Sequence, residues 1–515
     1  MGASETVWDL LERAAARAGA DAVAVGAPDR GDLSYSGLLA LVDETGAALS
    51  GAGVGPGDRV AIVLPNGPAM ATCFMAVAAH ACAAPLNPAY RADEFEFYLS
   101  DLNAKLLIVA AGDDTPARAV AEKLGVRIVD LSQDDAAPAG TFTLETGGQS
   151  GDAVRAAPGD TALVLHTSGT TSRPKIVPLT GANICASAHH IGQTLALVPG
   201  DRCLNIMPLF HIHGLIAAVL SSLGAGASVH CAPGFNALKV FQWFQAIAPT
   251  WYTAVPTMHQ AILSRAARNQ DIVDAMGLRL IRSSSSSLPP QVMEALEATF
   301  GCPVIESYGM TEASHQMASS PLPPGARKPG CVGLPAGPEV RIMSPDGTFV
   351  AQGGEGEICI RGPNVTHGYE NNPKANAEGF HDDPDGASGS WFRTGDQGRL
   401  DEDGYLWITG RIKEIINRGG EKIAPREVDE VLMDHDAVAQ AVTFAVPHDK
   451  LGEEVGCAVV FAEGKSASEQ ELKDFAAKRL ADFKVPRRFV FVEEIPKGAT
   501  GKLQRIGLAE KLGLA

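Results

Sequence analysis

The sequence has few aromatic residues, no excess of positive charge and no long apolar run. Aromatic residues make up 6% of its 515 positions, and 42 Lys and Arg are outnumbered by 60 Asp and Glu, for a formal net charge of −18. An acidic surface repels nucleic acid and anionic lipid. We therefore expect no nucleic-acid partner, and any polyanionic ligand must be held by a local cluster of donors. No stretch reaches the roughly 20 apolar residues that a membrane-spanning helix needs, so no membrane span is expected.

Paired cysteines and a targeting segment are also lacking. No two cysteines have the CxxC spacing of a zinc site or a redox pair. The N-terminal segment carries acidic residues and helical periodicity, where a secretory signal would have a basic end and an apolar run. Reduced thiols in the core of a cytoplasmic protein are the interpretation that we adopt. The nine cysteines are Cys73, Cys82, Cys185, Cys203, Cys231, Cys302, Cys331, Cys359 and Cys457.

Length and periodicity predict an α/β protein of two unequal domains. Strand-like and helix-like segments alternate from residue 58 to 131, and a second alternating set starts with TALVLH (161–166). Such alternation is typical of parallel sheets with helical crossovers. From Glu355 onward short strands and turns predict an antiparallel, barrel-like piece. A compact αββαβ pattern follows Lys413, so we predict a large N-terminal domain of two α/β subdomains plus the barrel-like piece (1–412) and a small α+β C-terminal domain (413–515).

A segment rich in Ser, Thr and Gly follows the buried strand predicted at 161–166. TSGTTSRPK (167–175) offers backbone N–H groups and hydroxyls that can surround phosphate oxygens, and Lys175 adds a positive charge. Its glycine spacing differs from that of the GxxxxGK[ST] loop of kinases and GTPases. The composition indicates a phosphate-binding loop, although an ordinary Ser/Thr/Gly turn has the same residue types.

Five segments in a fixed order make the sequence similar to one large superfamily. The chain resembles the acyl-adenylate-forming enzymes, which include acyl-CoA synthetases, luciferases and the adenylation domains of peptide synthetases. Ser172 stands where the family usually has glycine, which puts the flexibility of that loop in doubt. The segments are TSGTTSRPK, YGMTE (308–312), TGD (394–396), GRIKE (410–414) and PKGATGKLQR (496–505).

The resemblance implies ATP and Mg²⁺ as ligands of the large domain. Thr311 would contact the α-phosphate, and Glu312 would hold the Mg²⁺ that screens the phosphate oxygens. Tyr308 would stack on adenine, Asp396 would accept the ribose hydroxyls, and Arg411 would lie beside it. The remaining nucleotide ligands would be Thr167, Ser168, Gly169, Thr170, Thr171, Lys175, Glu306 and Ser307. Without the other motifs, Asp396 and Arg411 would read as a surface turn and an ion pair.

The resemblance also implies a mobile small domain and coenzyme A as the acceptor. Lys502 would bridge the incoming carboxylate and the phosphate, and is the residue predicted to carry the adenylation step. Lys413 matches the hinge about which the small domain swings. Gly419, Gly420 and Lys422 would line the pantetheine path, although on local grounds they could equally be a turn before the helix predicted near Pro425.

Polar residues in the predicted acid pocket favour a small, doubly charged acid. A buried carboxylate at the far end of the acid needs donors, whereas a fatty acid needs an apolar tunnel. The segments PLFHIHG (208–214), RSSSSS (282–287) and YGMTEASH (308–315) resemble the oxalate–CoA ligase branch of the superfamily. We therefore predict that oxalate is bound by residues among His211, His213, Ser285 and His315. These histidines could instead form the pocket wall without touching the acid.

Several other functions remain open at this point. A phosphotransferase or ATPase would release ADP rather than AMP. A nucleotide-binding protein on a decayed scaffold would be expected to have lost Lys175, Glu312 or Lys502, and all three are present. Medium-chain or aromatic acids, a carrier protein as acceptor, and luciferase-like oxygenation also fit the family. The sequence is compatible with a monomer or a homodimer.

Overall fold

The computed structural model describes residues 5–167, 174–387, 389–497 and 503–514. These residues form four sheets with helices packed on and between them. The first two sheets are built from β1 Val23–Ala27, β2 Arg30–Ser34, β3 Arg59–Val63, β4 Cys82–Pro85, β5 Leu106–Ala110, β6 Arg127–Ser132, β7 Thr143–Glu145, β8 Thr161–Thr167, β9 Lys175–Thr180, β10 Arg202–Asn205, β11 Ser228–Cys231, β12 Trp251–Ala254, β13 Leu280–Ser284, β14 Val304–Met310, β15 His315–Ser319 and β16 Leu334–Pro335.

The other two sheets lie towards the C-terminus. Their strands are β17 Glu339–Met343, β18 Glu355–Arg361, β19 Phe380–Asp382, β20 Ser390–Leu400, β21 Leu406–Arg411, β22 Ile416–Arg418, β23 Glu421–Ile423, β24 Val438–His448, β25 Gly452–Phe461 and β26 Arg488–Phe491. The α-helices are α1 Val7–Ala18, α2 Tyr35–Gly51, α3 Pro68–Ala78, α4 Ala92–Leu102, α5 Pro116–Leu124, α6 Gly181–Thr194, α7 Ser221–Gly224, α8 Val240–Ile247, α9 Pro256–Ala266, α10 Gln270–Ala275, α11 Pro290–Phe300, α12 Pro373–Gly379, α13 Pro425–Met433, α14 Glu469–Ala477 and α15 Leu508–Lys511.

The first sheet has seven strands in the order β7-β6-β5-β3-β4-β8-β9. Its inner strands pair in parallel, and the two edge strands pair antiparallel. Four of the five residues of β3 are buried, as expected for a parallel strand covered on both faces. The sequence placed TALVLH (161–166) in the second set of strands, which was wrong, because β8 pairs with β4 of the first sheet. That pairing joins residues about 80 positions apart, and nothing local in the sequence encodes it.

The second sheet has nine strands in the order β16-β15-β14-β13-β12-β10-β11-β1-β2. Strands β14 to β1 in this order pair in parallel, and the N-terminal hairpin β1–β2 closes one edge. Helix α3 lies between the two sheets and contacts strands of both. Because ten of its eleven residues are buried, α3 is apolar all round rather than on one face. The predicted pair of packed α/β subdomains is confirmed.

The third and fourth sheets lie on either side of one exposed turn. The third, ordered β17-β18-β20-β19 with β21 added beside β20, is antiparallel and corresponds to the predicted barrel-like piece. The fourth is ordered β23-β22-β25-β24, with β26 in parallel beside β25. Helices α13 and α14 pack on it through Val428, Leu432, Leu472 and Ala476. The chain leaves the third sheet at Arg411 and enters the fourth at Ile416.

Two negative findings concern the described part of the chain. All nine cysteines are buried and free of disulfides. Across the described ranges, no helix combines the length and the apolar character needed to cross a lipid bilayer.

Candidate active site

The predicted phosphate loop is closed at its base by two paired strands. Thr167 ends β8, Lys175 begins β9, and the two residues are direct partners in the antiparallel ladder. This pairing brings both ends of the loop together at the carboxyl edge of the first sheet, where α/β proteins commonly bind ligands. Ser168, Gly169, Thr170 and Thr171, together with Ser172, lie outside the described residues, so their assignment stays a prediction.

Lys175 and Glu312 are linked through a tyrosine that sequence reasoning did not single out. The Lys175 ammonium nitrogen lies 4.2 Å from the centroid of the Tyr369 ring. The Tyr369 hydroxyl donates a hydrogen bond of 2.7 Å to Oε1 of the buried Glu312 carboxylate. Burial and the nearby Glu312 raise the pKa of Tyr369, so its hydroxyl remains a donor. Tyr369 is the last residue of the segment RGPNVTHGY (361–369), and only its position in the fold reveals the contact.

Glu312 has the chemistry of a magnesium ligand. Across the described ranges there is no group of three or more His, Cys, Asp or Glu side chains that could hold a metal without help. A single buried carboxylate is still sufficient when phosphate oxygens and water supply the other ligands, as Mg²⁺ sites on nucleotides usually do. The hydrogen bond from Tyr369 fixes one Glu312 oxygen, and such outer partners orient metal ligands. The donor set therefore fits Mg²⁺ bound jointly with a nucleotide.

The predicted nucleoside residues form a second cluster beside the first. The Tyr308 hydroxyl donates to Oδ2 of Asp396 at 2.5 Å, and Nε of Arg411 donates to Oδ1 at 2.8 Å. Asp396 is buried, whereas the Arg411 side chain is about half exposed at 47%. Asp396 raises the pKa of Arg411, so the guanidinium stays charged beside it. Because Tyr308 and Glu312 belong to one segment, β14 and the 3₁₀ turn that follows it, the two clusters lie side by side.

Three other predicted nucleotide residues occupy the same segment with different surroundings. The Glu306 carboxylate accepts a hydrogen bond from the Leu288 amide at 3.1 Å and is buried. Burial raises the pKa of Glu306 to about 7, against a weaker opposing effect of Arg426 in the small domain. Ser307 is buried and its hydroxyl accepts from a guanidinium, whereas Thr311 is half-buried and begins the 3₁₀ turn. Their contacts with nucleotide stay predictions.

The four residues predicted to bind the acid lie close together beside the second sheet, and His315 begins its strand β15. His213 Nδ1 lies 3.0 Å from the Ser285 hydroxyl, and the rings of His213 and His315 are 5.0 Å apart. His211 is half-buried two residues before His213, and its Nδ1 accepts the His213 amide at 3.4 Å. His213 begins a π-helical segment, His213–Leu220, which is a rare geometry that is frequent at functional sites.

Two of these residues adopt a backbone conformation that side chains disfavour. Ser285 has φ of 75° and His315 has φ of 107°, and Ser314 before it has φ of 49°. Each such residue costs on the order of 1–3 kcal/mol, and such strain concentrates at functional sites. Gly309 allows the strand to approach this turn, because a Cβ there would lie 1.9 Å from the His315 carbonyl oxygen. The backbone strain therefore lies at residues that the sequence predicts to bind the acid.

The predicted hinge and coenzyme A residues lie on the exposed turns of the small domain. Lys413 is exposed, in the 3₁₀ turn Ile412–Glu414 between the third and fourth sheets. Gly419 and Gly420, both with positive φ, form the two-residue turn of the hairpin β22–β23, and the exposed Lys422 follows in β23. Lys502 lies outside the described residues. The roles of these residues, and the boundary at Lys413, stay predictions.

Comparisons with known proteins agree with this architecture. A family profile for "AMP-binding enzyme" matches residues 11–370, and one for "AMP-binding enzyme C-terminal domain" matches residues 427–502. The oxalate–CoA ligase of Arabidopsis thaliana is 46% identical over 513 residues, covering 98% of each chain. That of Saccharomyces cerevisiae is 42% identical over 482 residues, covering 88% of this chain and 86% of the relative.

A solved structure matches along the same length. The crystal structure of ATP-bound MatB from Rhodopseudomonas palustris has a TM-score of 0.88 and 28% identity, covering 98% of this chain and 99% of that one. The family profiles together span most of the chain, and the relatives match it nearly end to end. The chain therefore belongs to the AMP-binding enzyme family, with both the large domain and the C-terminal domain of that family.

Proposed function

We propose that this ATP-dependent acid–CoA ligase activates oxalate as an acyl-adenylate, releases pyrophosphate, and transfers the oxalyl group to coenzyme A with release of AMP. The observation that carries the proposal is that two clusters of side chains meet at one segment, β14 and the 3₁₀ turn that follows it, which contributes Tyr308 to one and Glu312 to the other. The cluster Lys175, Tyr369 and Glu312 adjoins the cluster Tyr308, Asp396 and Arg411. One has the chemistry of a phosphate and magnesium site, and the other has that of a nucleoside site.

Adenylation brings a carboxylate and a polyphosphate together, so its main obstacle is charge repulsion. Catalysis of such a step depends on cations and N–H donors held in place before reaction. We assign the loop that ends at Lys175 to the β- and γ-phosphates, Thr311 to the α-phosphate and Lys502 to the reacting oxygens. Mg²⁺ bound by Glu312 would supply further charge neutralisation. In the same assignment Glu306 and Ser307 support Tyr308 at the adenine.

The second half-reaction requires the acyl-adenylate to be protected from water while the thiol enters. We assign the hinge to Lys413 and the pantetheine path to Gly419, Gly420 and Lys422. The exposed turn at Lys413 is where the chain passes from the third sheet to the fourth, so a rotation there would disturb neither sheet. The mixed anhydride would then meet the thiol in a closed site.

Oxalate is supported by the polar character of the acid site. His213, Ser285 and His315 present imidazole and hydroxyl groups, and a fatty acyl chain against them would leave buried polar groups unpaired. A second carboxylate would instead accept hydrogen bonds from them. Two relatives that match the chain over most of their length carry the name oxalate–CoA ligase.

Pyrophosphate exchange across a panel of acids tests the proposal. Purified enzyme should exchange pyrophosphate into ATP with oxalate and should form oxalyl-CoA and AMP when coenzyme A is added. Medium-chain and aromatic acids should be poor substrates. Efficient AMP formation with those acids but not with oxalate would contradict the substrate and leave the ligase class intact, whereas release of ADP would contradict both.

The compartment and the oligomeric state are proposals as well. Nine buried, unpaired thiols are typical of a reducing compartment, and we propose the cytoplasm. A monomer or a homodimer remains our expectation, and sedimentation equilibrium of the purified enzyme distinguishes the two.

A further inference from the structure

A fully buried arginine lies behind the predicted acid site. Arg282, in the middle of β13, has no exposed surface. Its Nη2 donates to the Ser307 hydroxyl at 2.7 Å and to Oε1 of Gln316 at 3.3 Å. Longer contacts of 3.5 Å reach Oγ1 of Thr253 and Nδ1 of His315. Arg282 thus touches the residues that hold the acid site in place.

Arg282 has no carboxylate to balance its charge. The atoms that accept its hydrogen bonds are two hydroxyl oxygens, an amide oxygen and an imidazole nitrogen, none of which is an anion. Its Nε has no partner among the described residues. The residues outside the described ranges include no Asp or Glu. Arg505 of the small domain, whose side chain is 19% exposed, pairs instead with both Glu414 and Asp429. A buried cation without a counter-charge is costly, so its retention calls for a compensating anion.

The guanidinium of Arg282 is charged at neutral pH. Burial lowers the pKa of Arg282 to about 9, which is still well above 7. In a medium of low dielectric constant, this charge acts over several ångströms. An anion in the adjoining acid site would therefore experience it even without direct contact.

Arg282 also begins a hydrogen-bond chain that ends at the acid site. A guanidinium can only donate, so the Thr253 hydroxyl accepts from Arg282, which leaves its own proton available to His213 Nε2, 2.6 Å away. With that bond made, a neutral His213 carries its proton on Nδ1, 3.0 Å from the Ser285 hydroxyl, and donates to it. This leaves the Ser285 proton directed onward as a donor.

The same rule fixes the tautomer of the second histidine. His315 Nδ1 faces Nη2 of Arg282 and must accept, so the neutral ring carries its proton on Nε2. Both chains that start at Arg282 therefore include a donor at the assigned acid site, the Ser285 hydroxyl and Nε2 of His315. The donors of Ser285 and His315 suit an acid whose far end is an anionic carboxylate. They do not suit an acid whose far end is neutral and has few hydrogen-bond acceptors.

We propose that Arg282 is a positioning residue that makes the acid site selective for an acid with a second carboxylate, by orienting the donors of Ser285 and His315 and by supplying the uncompensated charge behind them. The proposal rests on the acid site assigned under the proposed function. It goes beyond that assignment because it places the selectivity in a residue that does not touch the acid.

The test compares oxalate with oxamate, which has nearly the same shape but carries a neutral amide in place of the second carboxylate. Arg282→Met should lower kcat/KM for oxalate by at least about tenfold, mainly through KM, and should change kcat/KM for oxamate by less than about threefold. Arg282→Lys, which keeps the charge, should recover most of the preference for oxalate. Arg279→Met is the matched control, because Arg279 lies just before β13, is paired with Asp201, and should not alter the ratio.

Equal losses for both acids in Arg282→Met would overturn the proposal and assign Arg282 a structural role. If Arg282→Met fails to fold, Arg282→Lys decides the question. A fall in its ratio of kcat/KM for oxalate to kcat/KM for oxamate as large as its fall in kcat/KM for oxalate would overturn the proposal as well. Wild-type enzyme that activates neither oxalate nor oxamate would contradict the proposed substrate instead. In that case malonate and its monoamide provide the same comparison for Arg282.

Discussion

The Tyr308 phenol and the Asp396 carboxylate are joined by a 2.5 Å hydrogen bond across 88 positions of the chain. Tyr308 belongs to β14 of the second sheet and Asp396 to β20 of the third, so this contact fixes the third sheet against the second. The other carboxylate oxygen of Asp396 accepts from Arg411. In the proposed site the nucleoside would bind at this junction of two sheets.

Asp396→Asn should raise KM for ATP by about a hundredfold in pyrophosphate exchange, because the amide cannot accept two charge-assisted hydrogen bonds. Tyr308→Phe removes one hydrogen bond only and should raise it by about tenfold. Similar small effects of both variants would show that the nucleoside is bound elsewhere.

Tyr369→Phe should raise the Mg²⁺ concentration needed for half-maximal activity by about tenfold, because Glu312 loses the partner that orients it. Titration of activity with Mg²⁺ at saturating ATP measures this. Tyr405→Phe is the control, since Lys328 lies 4.2 Å from the Tyr405 ring in an arrangement like that of Lys175, but outside the site. An unchanged Mg²⁺ requirement in Tyr369→Phe would contradict the assignment of Glu312.

Lys502→Ala should abolish adenylation and spare thioester formation from supplied acyl-adenylate, since the two half-reactions are expected to use different faces of the small domain. The two rates are measured separately, by pyrophosphate exchange and by release of AMP on mixing acyl-adenylate with coenzyme A. Equal loss of both half-reactions would contradict the role given to Lys502.

Stability should depend on pH through Glu306. Its pKa is raised from 4.5 to about 7 by burial, so the folded state binds the proton more tightly than the unfolded state does. The contribution of Glu306 to the free energy of unfolding is fully present below pH 4.5, falls as pH rises from 4.5 to 7, and is lost above pH 7. The total fall in the free energy of unfolding is on the order of 3 kcal/mol. Glu306→Gln should remove this slope in denaturant unfolding of the ligand-free enzyme, whereas the exposed Glu294→Gln should keep it. If the free energy of unfolding of Glu306→Gln still falls between pH 4.5 and 7, other groups cause the pH dependence.

Sequence alone located most of the secondary structure and the two unequal domains. Apolar runs such as DRVAIVLPN (58–66) and the αββαβ pattern after Lys413 have local periodicities that determine strand or helix without knowledge of the fold. The motifs likewise named every residue of the two clusters except Tyr369, because five segments resemble those of one superfamily in order and spacing.

Only the tertiary structure decided which of these elements and residues meet. The strand at 161–166 joins the first sheet rather than the second because pairing depends on crossovers between distant segments. Tyr369 and Arg282 gave no signal of their own: a tyrosine after a loop and an arginine before a run of serines are ordinary in sequence. Their importance comes from desolvation and from partners between 25 and 194 residues away, which are properties of the packed molecule and not of any segment.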